Sequence, residues 1–95
     1  MEPSEILLEE SWLAPEGGKW VRYRILICNP RPSGTTYKCS FHVEGLYPEP
    51  KLHAQVSPLL AVADAINVAA RDLWAVGASP EVMIPADQIK NGPAF

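Results

Sequence analysis

Trp20-Val21-Arg22-Tyr23-Arg24-Ile25-Leu26-Ile27-Cys28 is the stretch that decides the fold. Its odd positions Val21, Tyr23, Ile25 and Ile27 are apolar, whereas Arg22 and Arg24 occupy even ones. Successive side chains of a strand point to opposite faces, so this two-residue period predicts a strand with one buried and one solvated face. The pattern returns in Thr36–Gly45, where Tyr37, Cys39, Phe41 and Val43 alternate with Lys38, Ser40, His42 and Glu44. Upstream, Ile6 to Leu13 reads as a further strand, with Ile6, Leu8 and Trp12 on one parity. Between these strands, Pro15, Gly17 and Gly18 supply one turn. The other connection, Asn29–Gly34, holds Pro30 and Pro32, and two prolines so close together are expected to break the ladder. Leu46–Pro50 is a second proline-rich connection, and Leu52–Val56 suits a short fourth strand.

Ser57-Pro58 begins a helix, with a hydroxyl at the N-cap and proline at the first helical position. Gly77 and Pro80 close it after about Val76. Leu59, Val62, Ala63, Ile66, Ala69, Ala70, Leu73 and Trp74 recur at three- and four-residue steps, so this stripe is expected to face the sheet. Asp64, Asn67, Arg71 and Asp72 then face water. The expected architecture is α+β in two layers: a three- to four-stranded antiparallel sheet packed on one C-terminal helix. Residues 1–80 form this single domain, and residues 81–95 a C-terminal tail in which Val82-Met83-Ile84 could dock as a strand.

Composition agrees with one globular unit. The 95 residues are 47% hydrophobic and 20% charged, far from the composition of a disordered chain. No apolar run approaches the ~20 residues that span a bilayer. Met1-Glu2-Pro3-Ser4-Glu5 is acidic where a signal peptide is basic, so a cytoplasmic location is expected. Charge is segregated: five glutamates and no base fall in residues 1–18, and five bases and no acid in residues 19–38. Adjacent strands of opposite sign pair across the ladder, which makes the segregation a hairpin specification first and a bipolar surface second.

The chemistry is sparse. There is no glycine-rich phosphate loop, no Cys-x-x-Cys and no paired histidines, so neither a cofactor nor a metal is expected. Cys39 falls on the apolar parity and Cys28 on the other, which predicts two free thiols, Cys28 facing water. A Cys28–His42 nucleophile and base is the one pairing available, and no third residue orients the histidine, so no catalytic residue is expected. Arg22, Arg24, Arg31 and Lys38 near Trp20 form a small basic patch, but a pI of about 5.2 disfavours nucleic acid.

Leu8-Glu9-Glu10 ahead of a Gly-Gly turn, Tyr23-Arg24-Ile25 leading to Asn29-Pro30-Arg31-Pro32, Tyr37 to Leu46, and Ser57-Pro58-Leu59-Leu60-Ala61 follow one another in order. Over residues 6–77 this order resembles a bacterial family of small uncharacterised β-β-β-α proteins, a domain of unknown function. Ser57-Pro58-Leu59 departs from the acidic N-cap and nearby glutamine of similar proteins. The resemblance implies a layout and attaches no activity.

The function expected is that of a protein–protein interaction module, an inhibitor or immunity-type protein that covers a basic partner. The alternatives are a self-associating structural protein, a homodimer through the sheet edge or exposed sheet face, and a small-ligand binder. The expected interaction surface is the even-numbered face: Trp20, Arg22, Arg24, Leu26, Lys38, His42 and Glu44.

Overall fold

Two long strands joined by a two-residue turn start the fold. The computed structural model describes residues 5–78 and the backbone of residues 84–85. β1 (Ile6–Glu16) and β2 (Lys19–Cys28) pair antiparallel down to Glu16↔Lys19. Gly17 and Gly18 have φ of 58° and 79°. Two successive positive φ angles match the right-handed twist of the flanking strands, which is why glycine occupies both sites.

β3 (Arg31–Ser33), β4 (Thr36–Glu44), β5 (Lys51–Gln55), α1 (Pro58–Ala75) and β6 (Ile84–Pro85) follow. The hydrogen-bonded path is β3-β4-β2-β1-β6, with β5 also on β4. β5 takes one edge of β4, and β2 and β3 share the other, pairing at Ile27↔Phe41 and Pro32↔Tyr37. The result is an open antiparallel sheet against a single C-terminal helix, the α+β class expected. No helix among the described residues is long and apolar enough to cross a membrane.

The odd-numbered core is as expected. Tyr23, Ile27, Cys39, Phe41 and Val43 are buried beneath the helix, with Val21, Ile25 and Tyr37 packed at its margin. Opposite charges also meet across strands, Arg24 with Glu9 and Arg31 with Glu5.

Four details differ from expectation. First, Asn29–Gly34 is not wholly a break: Arg31–Ser33 forms β3, a three-residue hairpin arm on which Pro32 is tolerated because short edge segments can spare an amide donor. Second, Ile6 does not share the parity of Leu8 and Trp12. A register shift between Ile6 and Leu8 pairs Ile6 with Cys28 and Leu8 with Ile27, so a bulge at Leu7 turns Ile6 to the outer face. Third, Cys28 is free, as expected, but does not face water; it is 4% exposed.

Fourth, the helix is rolled. Its buried stripe is Ala61, Ala65, Ala69 and Leu73, while Leu59, Ile66 and Trp74 are exposed. Alanines at four-residue steps put only methyl groups between the helix and Phe41, so the helix seats closely on the sheet. Ser57 caps it, accepting from the Leu60 amide at 3.1 Å, and the Gly77 and Ala78 amides close its last turn. Val82 and Met83 of the suggested docking segment lie outside the described residues; Ile84 and Pro85 pair with Leu13 and Trp12.

The close seating makes α1 intolerant of bulk. Ala65, 0% exposed, has no room for three further carbons. Ala65→Leu is expected to cost about 1–3 kcal/mol through overpacking and to lower the melting midpoint by at least several degrees in a circular-dichroism melt. An unchanged midpoint would refute the alanine seat.

Candidate functional site

The outer sheet face brings together the residues that alternation assigns to it, but it is less open than a free binding surface. Arg24 bridges Glu9 at 2.5 Å and Glu44 at 3.3 Å, tying β1, β2 and β4 into one row of charge. The Glu9 carboxylate, hydrogen-bonded to the guanidinium, raises the Arg24 pKa and fixes its charge. Leu26 is only 5% exposed: it shares a hollow of about 260 Å³ with Ile6, His42 and Pro50. Arg22 and Lys38 remain exposed, and Trp20 is half-buried.

The β2–β4 register sets Cys28 diagonal to His42, and no hydrogen bond joins the two among the described residues. Cys28 lines a separate hollow of about 350 Å³ with Arg31, Lys38 and Ser40. Burial raises the Cys28 thiol pKa, opposite to the lowered value that an attacking thiolate needs. The His42 Nδ1 is buried with no hydrogen-bond partner among the described residues. The second thiol, Cys39, donates to the Cys28 carbonyl at 3.3 Å and is raised by the same desolvation. No group of His, Cys, Asp or Glu suited to a metal ion occurs among the described residues.

The feature missed at the sequence level lies on the helix side. Two carboxylates expected in water, Asp64 and Asp72, are bound toward β5 instead. Asp64 accepts from Gln55 and lies 3.9 Å from His53; Asp72 accepts from the Tyr47 hydroxyl at 2.6 Å and Lys51 at 3.3 Å. Lys51 also sits 4.1 Å above the Tyr47 ring. These bonds draw α1 over β4 and β5, so that on the helix-side face of β1 Ala14 is buried whereas Leu8 is left partly exposed. Between them opens an apolar groove of about 220 Å³, floored by Ile25, walled on one side by Leu8 and Trp12 and on the other by Ile66, Ala70 and Trp74.

Leu8, Ile66 and Trp74 are 37%, 42% and 57% exposed, the signature of an interaction site when such residues are contiguous. Glu10 is the one charged residue lining the groove among the described residues, and its Oε2 accepts from the Trp12 indole at 2.9 Å. One signal pointed here: Ile66, Ala70 and Trp74, at four-residue steps, form a second apolar line beside the alanines. Comparison with models of known protein families, with curated proteins and with solved structures finds no match.

The Tyr47–Asp72 bond carries a pH signature. The Tyr47 hydroxyl bond, then Lys51, hold the Asp72 carboxyl below its ordinary value. A depressed folded-state pKa contributes stability that is present above the unfolded value, about 3.9, and is lost as pH falls through the folded one. Asp72→Asn is therefore expected to lose about 1–2 kcal/mol at pH 7, with the difference from the parent shrinking at acid pH. Urea midpoints at neutral and acid pH test this; an equal loss at both would exclude the carboxylate's charge as the cause.

Proposed function

We propose that this protein is a protein–protein interaction module that docks its partner in the groove between β1 and α1. The observation that carries the reading is the exposure of Leu8, Ile66 and Trp74 around one apolar depression. Aromatic and aliphatic anchors around a desolvated centre are where binding energy concentrates at interfaces. The outer face supports docking less well, since Arg24 is neutralised by two glutamates and Leu26 is already covered. A net charge of −3 favours association with a basic partner, which suits an inhibitor- or immunity-type role.

A second reading, a homodimer through the sheet edge, is supported by the outer edge of β1, which carries no described strand from Ile6 to Ser11. Light scattering separates the two, because a monomer at high micromolar concentration excludes the dimer.

A photo-crosslinking side chain in place of Trp74 is expected to capture one discrete partner in cells of the source organism. The same group in place of Arg22 should capture none, and Ile66→Glu should abolish capture from position 74 while leaving the fold intact by circular dichroism. Capture from position 22 alone would move the site to the outer face and defeat the reading.

A further inference from the structure

The groove and the open edge of β1 are one surface. Leu8, Glu10 and Trp12 line the groove from alternate positions of β1, and the backbone between them lies on the edge that β2 does not use. β6 already adds to that edge, pairing Ile84 with Leu13 and Pro85 with Trp12, and among the described residues nothing continues the pairing toward Leu8. A strand laid along the part of this edge that no described residue pairs would satisfy its amides and carbonyls while every second side chain entered the groove. A docked helix would fill the groove and leave the edge groups unmatched.

Charge selects among the strands that could lie there. Glu10 is the charged residue of the lining, and its Oε1 has no partner among the described residues. Continuing the β6 register unchanged would set Asp87 of this chain opposite Glu10, two like charges directly across a ladder. A second copy paired by its own β1 would bring Glu9 and Glu10 of both chains onto one ladder, on molecules that each carry −3. A segment with a cation at that position meets neither conflict.

Resting on the interaction reading above, we propose that the groove receives an extended segment of a partner protein, alternating apolar side chains with a lysine or arginine placed across from Glu10. The partner contributes a strand beside β1, its apolar residues packing against Leu8, Trp12, Ile66 and Trp74.

The test pans a displayed library of random short peptides on the full chain, then titrates the enriched peptides by tryptophan fluorescence and amide exchange. Enriched sequences are expected to alternate apolar residues with a lysine or arginine and to protect the amides of Leu7–Ser11. Replacing that cation by glutamate should weaken binding roughly five-fold or more, and Glu10→Lys should reverse the preference. No enrichment, enrichment of acidic or helix-patterned peptides, or protection lying outside β1 would overturn the proposal. So would a dimer that protects Leu7–Ser11 without peptide, or protection of those amides that disappears on removal of residues 86–95. Crosslinking from position 74 that succeeds while the peptides fail defeats only the strand mode; failure of both removes the interaction reading as well.

Discussion

One helix cannot cover this sheet, and most of the structure follows from that mismatch. A helix with its side chains is about 10–12 Å across, whereas neighbouring strands stand about 4.8 Å apart, so α1 roofs little more than two strands. Something must decide which two. The alanine stripe lets the helix settle low over Phe41, and the bonds from Tyr47, Lys51 and Gln55 to Asp72 and Asp64 draw it toward β4 and β5. The remainder that the helix does not roof includes Leu8 and Trp12 of β1, and the groove lies there.

The outer face is organised by a different device. The bulge at Leu7 moves Ile6 across the sheet to join Leu26 and Pro50, and Arg24 occupies the centre between Glu9 and Glu44. The charge segregation in the sequence is thus consumed in part as pairing, Arg24 with Glu9 and Arg31 with Glu5, while Arg22 and Lys38 stay exposed. Gly45 belongs to the same economy of space: with φ of 95°, a Cβ there would stand 2.8 Å from the Arg22 carbonyl, so the β4 exit can pass β2 only without a side chain.

The strands and their inward residues were legible because alternation is strictly local: Val21 to Ile27 and Tyr37 to Val43 carry their burial in their spacing. The helix boundaries were legible from Ser57, Pro58 and Gly77. The roll of the helix was not, because an apolar arc running from Ala61 through Leu73 and Ile66 to Trp74 is wider than one sheet contact uses. Which part faces inward depends on partners remote in sequence, Tyr47 and Gln55 among them. Bulges are similarly opaque, since nothing in Ile6-Leu7-Leu8 announces a change of register. The groove was not legible for a physical reason: charge stands out in a sequence, whereas incomplete coverage emerges only when elements are assembled.

Incomplete coverage also leaves a calorimetric mark. The heat-capacity rise on unfolding comes from apolar surface newly wetted, and the walls of the groove are wet already. The native protein therefore has a shallower stability curve than a fully roofed sheet of equal length. On the interaction reading proposed above, a partner that dried Leu8, Ile66 and Trp74 would recover the missing increment as a negative heat-capacity change.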